Sequence, residues 1–281
     1  MAIPYKTPTE PLAEVAPADV APGQLLTNED YHREPAISST DLSLLEESTT
    51  HLMNKQLFKR ESDAFNFGTL VHTLTLEPHL FDDEFLLAPE GAKRNTTIGK
   101  KMWEDHEAEL AGRISITAAD VEKAKTMAHN ATVILSRLLG VEDFKTTGWA
   151  ERSFFTRDHL THANVKCRPD FLTRNHTMID IKTTRDISEF GLMKSIRDYN
   201  YARQVAWYKR VLSNCRIDIQ RAVLVFVSTE PGHQVKIRYF SDSVLYEEDE
   251  KITALLQQFD SVMSGEVVDT IARPIEPLGR N

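Results

Sequence analysis

The run Ala222-Val223-Leu224-Val225-Phe226-Val227-Ser228 constrains the fold more than any other stretch of this chain. Apolar residues in unbroken succession, rather than in alternation, mark a strand buried on both faces, and such strands lie in sheets covered by helices on either side. The flanking patterns supply those helices. Helical spacing predicts one long helix over 187–212 and another over 243–263. Three period-two runs at 150–156, 163–172 and 177–182 read as strands of an antiparallel meander, with a further strand over 235–240. Upstream, Ser38, Ser39, Thr40 and Asp41 offer N-cap residues to a short helix through Leu42, Leu44 and Leu45. A second helix is expected from Phe67 to Glu77, where Pro78 stops it, and a third from Thr117 to Gly140. The sum is a three-layer α/β sandwich around a mixed sheet.

The 281 residues, 41% of them hydrophobic, suffice for one large core. Five prolines among the first 28 residues, without periodicity, read as a flexible leader; residues 29–265 form the expected domain, and Pro274 and Pro277 mark a loose tail over 266–281. Cys167 and Cys215 are too few for a disulfide framework and lack zinc-type spacing. With no signal-peptide order and no long charge-free apolar run, a soluble, cytoplasmic protein with no membrane association is expected. The net charge of −9 runs against nucleic-acid binding. A concentration of carboxylates at a metal site accounts for part of that acidity, and local patches matter more than the total.

The chemistry is concentrated in Pro169-Asp170, nine residues, then Asp180-Ile181-Lys182. In a strand, residues two apart share a face, so Asp180 and Lys182 point together while Ile181 faces the core. A hairpin brings Asp170 alongside. Two carboxylates and the Ile181 backbone carbonyl make an oxygen-rich pocket suited to Mg²⁺, with Mn²⁺ as a substitute. Lys182 would orient or help deprotonate an attacking water and stabilise charge at a phosphoryl group. On the following helix Gln204 and Tyr208, four residues apart, share a face that could hold a phosphate or base. Glu151 precedes Asp170 on a neighbouring strand; an edge glutamate of the metal site and a solvated strand glutamate are both open readings. Arg168 shares Asp170's face, available to a phosphate or to that aspartate. Lys93, Arg94, Lys100 and Lys101 fall in a segment over 89–101 with Gly91 and Gly99 and no apolar period, a basic, mobile loop suited to the DNA backbone.

The PD-(D/E)xK motif followed by a QxxxY helix resembles the RecB-like nucleases. Ile37-Ser38-Ser39-Thr40-Asp41-Leu42, Phe67-Gly68-Thr69-Leu70-Val71-His72 and the Arg168-Pro169-Asp170 to Thr184 segment together resemble the RecE (exonuclease VIII) family over residues 31–259. The resemblance implies a restriction-endonuclease-like PD-(D/E)xK core. It implies that His72, Asp170 and Asp180 bind metal, that Lys182 is catalytic, and that Gln204 and Tyr208 are the QxxxY pair. Taken alone, His72 on an apolar helix would read as a core histidine. Also implied are 5′ to 3′ degradation of linear duplex DNA leaving 3′ overhangs, a ring-shaped homo-oligomer, a RecT-type single-strand annealing partner, and a compact phage-type version acting in a bacterial host. Two alternatives remain: a RecB-like nuclease with endonuclease or single-strand activity, and a catalytically silent DNA-binding recombination protein.

Overall fold

The computed structural model describes residues 5–6, 23–55 and 63–265. In chain order the elements are β1 (Tyr5–Lys6), α1 (Asn28–Arg33), α2 (Asp41–Glu47), α3 (Thr49–Met53), α4 (Asp63–Leu76), α5 (Phe81–Glu84), β2 (Phe85–Leu87) and α6 (Thr97–Leu110). Then follow β3 (Ile114–Ile116), α7 (Ala118–Leu139), β4 (Gly148–Ala150), β5 (Phe154–Arg157), β6 (Asn164–Cys167), β7 (Phe171–Thr173) and β8 (Thr177–Thr184). The chain continues through α8 (Glu189–Asp198), α9 (Tyr201–Asn214), β9 (Arg221–Ser228), β10 (Val235–Phe240) and α10 (Asp242–Met263).

The central sheet has the order β1-β10-β9-β8-β7-β4. It is mixed: β8 and β9 run parallel, and the other pairings are antiparallel. A parallel neighbour requires a crossover, and α8 and α9 provide it. Along β8 and β9 alternate residues feed two separate cores. Ile179, Ile181, Val223, Val225 and Val227 pack with Leu70 and Val71 of α4 and with Ala124, Met127, Ala131 and Leu135 of α7. Met178, Leu224 and Phe226 pack on the opposite face with Val205, Trp207 and Val211 of α9 and Ile252 and Leu256 of α10. This is the three-layer α/β architecture expected from the doubly buried β9. Among the described residues no helix is long and apolar enough to cross a membrane.

Four local expectations are corrected. The strand runs over 150–156 and 163–172 are interrupted, because Glu151 takes a left-handed backbone (φ 49°) and Pro169 cannot donate to a ladder. As a result β5 and β6 pair in their own two-stranded sheet, while β4 and β7 join the central one. The single helix over 187–212 is two, since Asn200 adopts φ 52°, ψ 40° between α8 and α9. The basic segment is not a free loop: Thr96 Oγ1 accepts the Gly99 N–H at 3.0 Å and opens α6. A Cβ at Gly99 would lie 2.0 Å from the Lys93 carbonyl oxygen, so only glycine allows that approach. Within the expected leader, Tyr5–Lys6 forms β1 against β10, Gln24 bridges to Ser153 and Asn28 opens α1. The expected tail over 266–281 lies outside the described residues.

Candidate metal centre

Sheet register gathers the acidic residues. Phe171 faces Ile179 and Leu172 faces Met178 across β7 and β8, so one step further Asp170 stands opposite Asp180. Ala150 faces Phe171 across β4 and β7, and the next pair is Glu151 with Asp170, where the Glu151 N–H donates to the Asp170 carbonyl at 3.0 Å. Directly opposed residues of antiparallel strands share a face. The three carboxylates therefore lie side by side, Glu151 just past the end of β4, Asp170 just before β7 and Asp180 within β8. α4 adds a fourth donor from the side: His72 Nδ1 lies 3.4 Å from Asp170 Oδ2. Ligand atoms of His72, Glu151 and Asp170 all fall within 4.8 Å of one another.

Asp170 Oδ2 also accepts the Ile181 N–H at 2.5 Å, which locks the aspartate onto β8. Ile181 thus reaches the site through its backbone, while its side chain is buried among the α4 and α7 residues. Asp180 is fully buried, and Lys182 Nζ lies 2.6 Å from its Oδ2. Among the described residues that ammonium is the one partner of the Asp180 oxygens. One cation leaves most of the acceptor capacity of a buried carboxylate unused, which is costly unless something else completes it.

The electrostatics show the same deficit. Burial pushes the Asp180 carboxyl up to about 6, with Lys182 opposing and Asp170 reinforcing the shift. Glu151 is pushed well above the carboxylate range by burial and then by Asp170. Its left-handed backbone is unfavourable for glutamate, a strain that persists because the Asp170 contact holds it in place. Lys182 is held firmly as an ammonium: burial alone would lower its pKa, but Asp180 and Asp170 outweigh burial. Unused acceptor capacity, crowded like charges and an imidazole make a donor set that fits a hard divalent cation.

α9 roofs the row. Gln204 Nε2 donates to Tyr208 Oη at 3.0 Å, so the two residues are joined. The Tyr208 phenol, pushed up by burial and by Asp180, stays neutral. Trp207, between them in sequence, is fully buried and donates to the Lys166 carbonyl at 2.9 Å, fixing the helix on β6. Arg168 does not pair with Asp170. Its guanidinium bonds Ser153 Oγ at 2.9 Å and the Leu26 and Thr27 carbonyls at 3.0 and 3.2 Å, and it stacks on Tyr31. In this arrangement it braces the N-terminal segment against β6.

The four basic residues are also divided. Arg94 lies 3.8 Å over Trp103 and pairs with Glu107, whereas Lys100 and Lys101 project from the first turn of α6. Tyr201, which sequence reasoning does not single out, has its ring 5.0 Å from Lys182 Nζ. Its spacing of seven from Tyr208 on α9 is the available signal, masked when 187–212 is taken as a single helix.

The fold is similar to that in the crystal structure of a Eubacterium rectale protein named Putative exonuclease, at 16% identity over 88% of this chain and 90% of that one, with a TM-score of 0.57. A phage related exonuclease from Haemophilus somnus 129PT aligns at 13% identity over 70% of this chain and 95% of its own, with a TM-score of 0.35. The comparison with curated proteins gave no match. A family model described as a PDDEXK-like domain of unknown function (DUF3799) matches residues 38–275, and with the acidic row and Lys182 in place the chain belongs to that family.

Proposed function

We propose that this chain is a divalent-metal-dependent exodeoxyribonuclease that degrades linear duplex DNA from its ends, in the 5′ to 3′ direction. The observation that carries the proposal is the row Glu151, Asp170 and Asp180, flanked by His72 and Lys182, in which three crowded carboxylates face one ammonium. His72, Asp170, Asp180 and the Ile181 carbonyl would hold the ion, with Glu151 at its edge. Such an ion polarises a phosphoryl oxygen and acidifies a bound water. Lys182, held as an ammonium, stabilises charge growing on the phosphoryl oxygens and is poorly suited to take a proton. The joined Gln204 and Tyr208 hold the phosphate or sugar from the α9 side without adding negative charge. A ring-shaped assembly and a single-strand annealing partner, acting in the cytoplasm, complete the proposal.

The experiment is incubation of 5′- and 3′-end-labelled linear duplex with Mg²⁺, Mn²⁺ or EDTA, beside closed circular DNA. The expected result is metal-dependent release of labelled 5′ nucleotides from linear DNA with the circle intact. Cutting of the circle would replace the exonuclease reading with an endonuclease one.

The placement of the basic residues gives a second expected outcome. Replacing Lys93, Lys100 and Lys101 by alanine should flatten the salt dependence of DNA binding in Ca²⁺, by about 0.9 in the log–log slope for each phosphate no longer neutralised. Arg94 is left in place because it secures Trp103. An unchanged slope would move the DNA path away from α6.

A further inference from the structure

The break between α8 and α9 leaves a short file of aromatic rings that the metal centre does not use. Tyr199 and Tyr201 stack at 5.6 Å between centroids with 23° between planes, on either side of the left-handed Asn200. Tyr201 continues inward, 6.0 Å from the Phe226 ring and 5.0 Å from Lys182 Nζ. Tyr199 ends the file outward and is 69% exposed. An isolated exposed tyrosine would be ordinary. This one is set by the left-handed Asn200 into stacking with a ring that lies beside the lysine of the motif.

We propose that Tyr199, backed by Tyr201, is a stacking platform for the terminal nucleobase of the strand whose phosphate lies at Lys182. The inference rests on the nuclease reading and adds how the strand end is held. The chemistry fits on three counts. Every nucleobase presents a π-face, so a stacking platform holds an end without reading its sequence. Tyrosine immobilises only two side-chain torsions, and Tyr201 already fixes its partner's plane. Stacking is also nearly indifferent to salt and to net charge, which suits a protein of net charge −9 that cannot rely on phosphate neutralisation alone.

The test uses the whole protein in Ca²⁺ and a duplex with 2-aminopurine at the terminal position, whose fluorescence falls when the base stacks. Parent and Tyr199→Phe should bind and quench alike. Tyr199→Ala and Tyr199→Leu should bind about tenfold more weakly and lose the quenching, within the range measured for a base deprived of its aromatic partner. In Mg²⁺ the same two variants should raise KM about tenfold while kcat stays within a few-fold of the parent. The leucine variant preserves apolar cover, so its failure separates stacking from burial. If Tyr199→Leu matches the parent in affinity and quenching while both cleave DNA, the platform is overturned and the nuclease reading stands. If the parent cleaves no DNA with any divalent ion, both fall together.

Discussion

Asp170→Asn and Asp180→Asn are each expected to lower Mg²⁺-dependent hydrolysis by at least about 10³-fold, since several kcal/mol of transition-state stabilisation come from a metal that each variant displaces. Neither change should unfold the protein. An asparagine at 170 still offers an oxygen to the Ile181 N–H, and an asparagine at 180 keeps the side-chain volume and one oxygen for the Lys182 ammonium. Calorimetric titration with Ca²⁺ should show the site lost in both, and circular dichroism should show an intact fold. Lys182→Met should also lose about 10²- to 10³-fold in rate, as removal of a preorganised charge stabiliser does, yet retain metal binding at alkaline pH. Activity within tenfold of the parent in either asparagine variant would remove the row from the chemistry.

The strands and their burial were the most legible part of the fold. β9 declared itself as doubly buried because no polar residue interrupts 222–227, and the alternation of β8 correctly sent Ile179 and Ile181 to one core and Asp180 with Lys182 to the other face. Breaks were much less legible. Periodicity runs through Tyr199-Asn200-Tyr201 as readily as through a continuous helix, since one residue in a left-handed conformation shifts the phase without changing composition. Asparagine there was the clue. The opening of α6 was hidden for another reason: its first turns expose Ile98, Lys100 and Lys101, so no apolar stripe announces it, and only the Thr96 cap does.

The spacing expected Asp170, Asp180 and Lys182 to lie together; the structure pairs Lys182 with Asp180 and gathers His72 and Glu151 around Asp170. What spacing could not give was the register. That Glu151, Asp170 and Asp180 stand directly opposite one another depends on the interruption at 151–153, which diverts β5 into a separate hairpin and leaves β4 free to pair with β7. Arg168 shows the converse. Its position two residues before Asp170 implies a shared face, but the chain turns at Pro169, and the guanidinium meets carbonyls of residues about 140 positions away in sequence.

Without metal, the protein should be more stable near pH 5 than near pH 7, the reverse of the usual acid destabilisation. Asp180 has its folded-state pKa raised from 3.8 to about 6, so the folded state binds protons that the unfolded state has released, and stability falls as pH rises between those values. A rise of that size corresponds to about 3 kcal/mol in all, of which roughly 1.4 kcal/mol, or about 3–6 °C in melting temperature for a domain of this size, falls between pH 5 and pH 7. Glu151 acts in the same direction. His32, whose pKa is lowered by burial and then by Lys166, acts in the opposite one, because it must gain charge as pH falls. The informative quantity is therefore the difference between parent and Asp180→Asn, measured by thermal melts in EDTA across pH 5 to 7. The variant should lose the gain at pH 5, so its profile across this range should be flatter than the parent's, on top of a pH-independent loss from leaving Lys182 without its partner. Saturating Mg²⁺ should invert the parent's slope, since the ion binds only ionised carboxylates, and at a hundredfold excess over Kd it adds about 2.7 kcal/mol. Superimposable pH profiles for parent and variant in EDTA would mean that burial and Asp170 do not raise Asp180, and with it the physical case for a cation at this row would be lost.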